Sequence, residues 1–339
     1  GFILEPGTII RRYDELVDDN VDVSADLTWD VYDSGASFGQ LRTGFQLIYR
    51  ERDSESSTYG FNVNQVRDDL LRTSNLLVSD VVYTCDGESS RAGCEAGGEG
   101  GISSSPNTGL VFVDKTLASD SYDAELEYNS AYLMYDHTFD SVWQVIVGGR
   151  YETYEQTTNT FSLQGAQGAV QSVIDEDSFL PSLGVNWFIS DDHQLRLALS
   201  QTVARPDFKE AANATFYDNE FNFRVRGNPF LQISDIINAD LRWEWYLSEV
   251  DSLSVALFYK DMDKPIERVV QAASGTAGNS RTFQNSESAE LYGLEVDGRF
   301  EFALGEGYDR TVFVSFNAAF IESEVTAQNQ EDRALQGQP

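Results

Sequence analysis

Residues 238–247 read NADLRWEWYL, and they alternate by twos. Ala239, Leu241, Trp243, Trp245 and Leu247 fall on one side of an extended chain, and Asn238, Asp240, Arg242, Glu244 and Tyr246 fall on the other. This is the period of a β-strand, not of a helix. One side is apolar enough for a protein core or for lipid. The other carries two acids and an arginine, which a dry interior accepts only when they are paired. Which environment each side meets depends on whether the rest of the chain repeats the pattern.

The pattern recurs. In one segment Val21, Val23, Ala25, Leu27, Trp29 and Val31 oppose Asp22, Ser24, Asp26, Thr28 and Asp30. Further on, Leu41, Thr43, Phe45, Leu47 and Tyr49 oppose Arg42, Gly44, Gln46, Ile48 and Arg50, and Trp143, Val145, Val147, Gly149 and Tyr151 oppose Gln144, Ile146, Gly148, Arg150 and Glu152. Such segments predict about ten strands, near residues 20–32, 41–52, 124–138, 141–155, 177–190, 193–205, 233–248, 250–262, 286–303 and 310–325, each long enough to cross a bilayer. All five tryptophans, Trp29, Trp143, Trp187, Trp243 and Trp245, lie on the apolar side of their strands.

Alternation alone equally describes a soluble antiparallel sheet. The connections discriminate. Short ones at 33–40, 138–140, 190–193, 247–250 and 304–309 alternate with long ones at 53–123, 156–176, 206–232 and 263–285. A soluble sandwich has no reason to sort its loops by length onto two ends, whereas an outer-membrane barrel has short periplasmic turns and long extracellular loops. The fold class expected is therefore all-β, an antiparallel transmembrane β-barrel segment of roughly ten strands, in the outer membrane of a Gram-negative bacterium. Slipping NADLRWEWYL by one residue would place Asp240, Arg242 and Glu244 in hydrocarbon, at about 2–4 kcal/mol for a midplane Arg alone.

Composition agrees. The 339 residues carry 56 acids against 23 bases, a formal charge of -33, which opposes binding to a phosphate backbone, so no nucleic-acid partner is expected. Hydrophobic residues make up 41% of the chain, too many for a disordered acidic polymer. No stretch has the roughly 18 apolar residues of a membrane helix, and a mean hydropathy of -0.35 conceals alternating strands.

Catalytic constellations are absent: no GxSxG, HExxH or P-loop occurs, and His137 and His193 stand on separate strands. An enzyme is not expected, nor is a cofactor or metal site. Cys85 and Cys94, in the polar stretch TCDGESSRAGC, are either a disulfide of an oxidising compartment or two idle thiols. The extracytoplasmic reading favours the disulfide.

One run of motifs is specific. SQTVARPDF (200–208), RVRGNPFLQ (224–232), NADLRWEWY (238–246), LFYKDMDKPI (257–266) and LYGLEVDGRFEF (291–302), in that order, resemble the C-terminal barrel of TonB-dependent outer-membrane receptors. VGGRYE (147–152), FGQLRTGFQLIYRERD (38–53) and the closing ALQGQP (334–339) resemble other parts of it. The resemblance implies a barrel of about 22 strands with a plugged lumen. Residues 1–339 would be a single partial barrel domain, with the plug and the terminal strands absent. The implied function is active uptake of a scarce nutrient, such as a siderophore, vitamin or oligosaccharide. The implied partners are the TonB energy-transducing complex, outer-membrane lipid and lipopolysaccharide, and the nutrient ligand. Arg205, Pro206, Gly227, Asn228 and Pro229 match the family's most recognisable positions and are expected to turn the chain at the barrel rim. In the same loop Phe216, Tyr217, Phe221, Phe223, Arg224 and Arg226 supply aromatics and positive charge, of which Tyr217, Phe223, Arg224 and Arg226 are candidate ligand contacts. A passive porin-like channel and a soluble secreted glycan-binding β-protein are the alternative readings.

Overall fold

A computed structural model describes residues 10–64, 82–85, 94–96, 109–114, 116–160, 170–218, 223–271, 280–304, 310–326 and 333–335. Among the described residues, ten strands have twelve residues or more: β1 (Ile10–Asp33), β2 (Phe38–Asn64), β6 (Tyr122–Phe139), β7 (Trp143–Thr160), β8 (Val170–Phe188), β9 (His193–Ala204), β12 (Ser234–Tyr246), β13 (Ser252–Asp263), β16 (Ser288–Leu304) and β17 (Arg310–Thr326). They coincide with the ten alternating segments of the sequence, several of them running further than the apolar pattern does. The expected all-β fold and its outer-membrane strand architecture are present.

The chain divides into two compact units. The larger, formed by 19–51, 124–159 and 171–339, carries the order β17-β16-β13-β12-β9-β8-β7-β6-β2, with β1 on β2. The smaller contains 1–18, 52–123 and 160–170. In it the distal part of β2 pairs antiparallel with β5 (Gly109–Asp114), β5 pairs parallel with β3 (Val82–Cys85), and β3 pairs antiparallel with β4 (Cys94–Ala96). Cys85 stands opposite Cys94 in that last register. The cysteine side chains lie outside the described residues.

Register turns local alternation into two continuous faces. On one face Val185, Leu197, Leu241, Leu257, Leu294 and Phe320 stand in a row across six strands, and Leu257 and Phe320 are 51% and 68% exposed. The adjacent row on that face is Trp187, Leu195, Trp243, Val255, Val296 and Ala318. The opposite face carries Asn186, Arg196, Arg242, Ala256 and Glu295, then Gln194, Glu244, Ser254, Asp297 and Asn317. An exposed apolar belt backed by a charged wall suits strands with lipid on one side and water or polar protein on the other.

Aromatic side chains mark the borders of the belt. At the short-turn end Trp143 stacks on Trp187 with ring centroids 5.0 Å apart, and His193 stacks on both Trp243 and Trp245 at 5.7 and 5.5 Å. His137 packs 4.1 Å from Phe139 at the same end. Toward the long loops the border residues are tyrosines: Tyr49 donates to Glu51 at 2.6 Å and Tyr151 to Asp177 at 2.8 Å. From Trp143 to Tyr151 the strand rises about 27 Å, or about 21 Å along the membrane normal at a 40° tilt. That matches a hydrocarbon band, and amphipathic rings sit at its edges.

The short turns are tight. Asp140 and Ser141 both have positive φ, at 49° and 56°, and Val142 N–H donates to Phe139 C=O at 2.9 Å; this pair of left-handed residues matches the twist of the flanking strands. The long connections hold more order than their sequence suggests. Segments 206–232 and 263–285, expected as loops, contribute β10 (Thr215–Asp218), β11 (Phe223–Arg226), β14 (Ile266–Gln271) and β15 (Ser280–Asn285), which form a separate sheet in the order β10-β11-β15-β14.

The two faces make opposite predictions for one substitution. In the full-length polypeptide, Leu257→Arg on the apolar row is expected to cost about 2–4 kcal/mol in lipid vesicles. Ala256→Arg on the charged wall should cost under about 1 kcal/mol, which urea unfolding of the two variants side by side would read.

Candidate functional site: the charged wall and the loop sheet above it

The charged side of NADLRWEWYL is part of an ionic ladder. Arg242 Nε donates to Glu244 Oε1 at 3.0 Å and its Nη2 to Ser254 Oγ at 2.8 Å, while Arg196 Nε lies 3.0 Å from Glu244 Oε2. Gln194 Nε2 also donates to Glu244, and to Tyr246 Oη at 2.9 Å. Beside this group lies a cavity of about 560 Å³ bordered by Arg242, Asp297, Arg299 and Asn317. Arg196 and Arg242 alternate with Glu244 and Asp297, so each charge has an opposite neighbour and the wall presents hydrogen-bonding groups at little electrostatic cost.

A tighter cluster stands on the same face of β7. Glu152, 5% exposed, receives Arg205 Nη2 on Oε2 at 2.6 Å and the Tyr128 hydroxyl on Oε1 at 2.7 Å, with Arg150 Nε 2.8 Å away. Arg150 Nη2 donates to Gln46, Tyr128 and Ser130 at 3.1, 2.7 and 2.7 Å. The Arg205 guanidinium lies over the Tyr154 ring at 4.7 Å and near Tyr128 at 5.7 Å. A buried carboxylate held by two guanidiniums and a phenol has its desolvation offset by charge-assisted bonds. Just beyond, Gln156 and Thr158 are buried, and Gln156 Nε2 and Thr158 Oγ1 have no hydrogen-bond partner among the described residues.

The strand-to-loop transition begins at Arg205. Pro206 is buried, and Asp207 caps a single helical turn, α1 (Phe208–Ala211), accepting from Lys209 N–H at 3.0 Å, while Glu210 reaches back to the Asp207 N–H at 3.0 Å. This reciprocal capping box satisfies two donors that an isolated turn would leave open. Burial pushes the Glu210 carboxyl above its usual range, with the nearby Asp207 charge adding, against the Asp207 N–H bond and the Arg268 charge.

Gly227 and Asn228 tie that turn to the loop sheet. Gly227 N–H donates to Ala214 C=O at 3.1 Å, Asn228 N–H to Glu210 C=O at 2.6 Å, and Asn228 Nδ2 to Phe283 C=O on β15 at 2.9 Å. Any Cβ on Gly227 would meet the backbone oxygens of Ala212, Lys209 and Glu210, the last two at 2.6 and 2.8 Å. Val225, Leu231 and Phe283 form a small core with Phe216 and Ile266 packed against it. Behind the sheet Glu267, 4% exposed, accepts both Arg333 guanidinium nitrogens at 3.1 and 2.9 Å and Ser286 Oγ at 2.7 Å.

The candidate ligand contacts of the sequence separate. Arg226 binds Asn213 Oδ1 through Nε and Nη2 at 3.0 and 2.7 Å. Arg224 is exposed and, among the described residues, has no hydrogen-bond or ion-pair partner. Tyr217 pairs with Arg224 in the β10–β11 register and Phe223 with Asp218. The Tyr217 and Phe223 side chains and all of Phe221 lie outside the described residues. Sequence reasoning missed Glu152, Arg150, Tyr128 and Tyr154, because an inward carboxylate among many carries no local mark of its partners.

Two measurements check these contacts. Gly227→Ala is expected to destabilise the loop sheet by more than about 3 kcal/mol, seen as faster hydrogen exchange over 208–232 with the long strands still protected. A double-mutant cycle with Glu152→Ala and Arg205→Ala should give a coupling of about 1–3 kcal/mol.

Comparison with known proteins places this architecture. The family model described as TonB dependent receptor-like, beta-barrel matches residues 4–339. The fold is similar to the siderophore receptor PiuA from Acinetobacter baumannii, at 14% identity and TM-score 0.55, over 94% of this chain and 41% of that one. It is similar to the ferric citrate transporter FecA, at 12% identity and TM-score 0.53, over 94% and 38%. It is also similar to the RagAB peptide transporter, at 15% identity and TM-score 0.51, over 94% and 31%. The chain thus spans less than half the length of these structures. A search of curated proteins returns no match. With its alternating ten-strand section, sorted connections and a family match over nearly every residue, this chain belongs to the TonB-dependent receptor β-barrels of the Gram-negative outer membrane.

Proposed function

We propose that this chain supplies part of the barrel wall and loops of an outer-membrane receptor that captures a scarce nutrient at the cell surface and imports it with energy from the TonB complex. The observation that carries this reading is the two-faced sheet, in which a paired ionic ladder backs an exposed apolar belt. A passage for a polar solute needs such a wall, and a membrane needs such a belt. The structures it resembles are a siderophore receptor, a ferric citrate transporter and a peptide transporter. One fold serving several ligands puts selectivity in the loops rather than in the barrel.

Within this reading Arg224, Arg226, Tyr217 and Phe223 are proposed loop contacts for the nutrient, Arg224 being exposed and without a hydrogen-bond or ion-pair partner among the described residues. Arg205, Pro206, Gly227, Asn228 and Pro229 are proposed as the frame that holds the loop. The partners proposed are the TonB complex, the surrounding lipid and lipopolysaccharide, and the ligand itself. The whole of residues 1–339 is proposed as one partial barrel domain, and Cys85 and Cys94, opposite each other in the β3–β4 register, as a disulfide.

Orientation is the first test. In the full-length receptor with Cys85 and Cys94 replaced by serine, a cysteine at Arg224 is expected to react with a membrane-impermeant maleimide in intact cells. One at Glu249, in the β12–β13 turn, should react only after lysis. Labelling at both sites in intact cells would sink the membrane-spanning arrangement. Uptake is then read with ferric chelates, peptides and oligosaccharides in cells with and without the energy complex; accumulation unaffected by its loss would favour a passive channel.

A further inference from the structure

Phe230 is 83% exposed, although the backbone around it is fixed. Its N–H donates to Asn228 Oδ1 at 3.0 Å, and the next side chain, Leu231, is 4% exposed in the loop-sheet core. The ring borders a cavity of about 360 Å³ shared with Gln232, Asp263, Lys264, Gln284 and Glu287. Asn285 ties two sides of this cleft to its own strand. Its Nδ2 donates to Gln232 C=O and Lys264 C=O at 2.9 and 2.8 Å, and its Oδ1 accepts the Gln232 N–H at 2.9 Å. Lys264 is kept at a φ of 52°, left-handed backbone that a long side chain rarely adopts, with its N–H on Glu287 C=O at 3.2 Å. The side chains of Gln232, Asp263, Lys264, Gln284 and Glu287, by contrast, have no hydrogen-bond or ion-pair partner among the described residues.

A rigid frame, one bare aromatic ring and a surround of unengaged amides, carboxylates and an ammonium are complementary to a pyranose. The C–H face of a sugar packs on an aromatic ring, and neighbouring hydroxyls both donate and accept, which amide and carboxylate groups match. The volume lies in the range of small-molecule pockets. Two carboxylates against one ammonium disfavour a phosphate or carboxylate ligand. We propose that this cleft is a saccharide-binding site for a neutral hexopyranose unit.

Its position narrows the source. Asp263 continues the lipid-side parity of Leu257 and Tyr259 on β13, about 13 Å along the strand beyond Tyr259. The cleft therefore opens on the outer flank of the rim, at the level of the sugars on the membrane surface. The sugar comes either from the saccharide part of lipopolysaccharide or from a free oligosaccharide in the medium. The inference rests on the outer-membrane location and not on nutrient import.

The test uses the full-length receptor in detergent, titrated with two probes: delipidated core oligosaccharide from the host's own lipopolysaccharide, and maltoheptaose. Saturation-transfer NMR and calorimetry read binding for wild type, Phe230→Ala and Gln284→Ala. Wild type is expected to bind at least one probe, with about tenfold weaker binding in Phe230→Ala, a smaller loss in Gln284→Ala and unchanged thermal unfolding in both. Binding of the core oligosaccharide alone assigns the site to the membrane surface, and binding of maltoheptaose alone to free sugar. No binding of either probe, or wild-type affinity in both variants, overturns the proposal. Neither probe has to be imported, so failure of the uptake reading leaves this result standing.

Discussion

Everything in this chain depends on strand parity. A residue in a spanning strand meets lipid or the interior according to whether its number is odd or even within the strand, and one slip exchanges the two sets. Trp243 and Trp245 on one side of β12 and Arg242 and Glu244 on the other express that constraint at close range. The registers from β8 to β17 extend it into rows six strands wide. Backbone groups in lipid must all be paired within the sheet, so register cannot relax to accommodate a misplaced charge. The side chains have to comply.

The interior face solves a different problem. A wall of acids alone would repel itself in a chain of charge -33, yet Arg150, Arg196 and Arg242 of the long strands stand on that face between the acids. Arg196 and Arg242 share Glu244, and Arg150 and Arg205 share Glu152. The second pair also ties β7 to the start of the α1 turn, so the ionic wall and the loop architecture are joined at Arg205. Gly227 is the point where this loop tolerates no side chain, because three backbone carbonyls occupy the space a Cβ would need. Asn228 and Asn285 use side-chain amides to hold neighbouring segments together, which leaves the polar groups around Phe230 unengaged.

Much of this was legible beforehand. The ten long strands, their two faces with the tryptophans on the apolar one, and the sorting of turns follow from NADLRWEWYL and its repeats, because alternation is a property of consecutive residues and lipid enforces it. The family could be read from the ordered motifs between Ser200 and Phe302. The loop sheet could not. Its β11–β15 pairing is parallel and joins segments more than fifty residues apart, and its core of Val225, Leu231 and Phe283 is too small to imprint a period on the sequence.

The sequence by itself therefore determined which side chains face lipid and which face the interior, since that choice is made two residues at a time along one strand. Only the tertiary structure decided which of many interior carboxylates would be clamped, and which exposed aromatic would sit among unengaged polar groups. Glu152 differs from its neighbours because Arg205, 53 positions away, reaches it. The cleft beside Phe230 exists because Asn285 ties the chain at Gln232 and at Lys264 to its own strand. Such partners are set by register and chain return across strands, and no local pattern in the sequence records them.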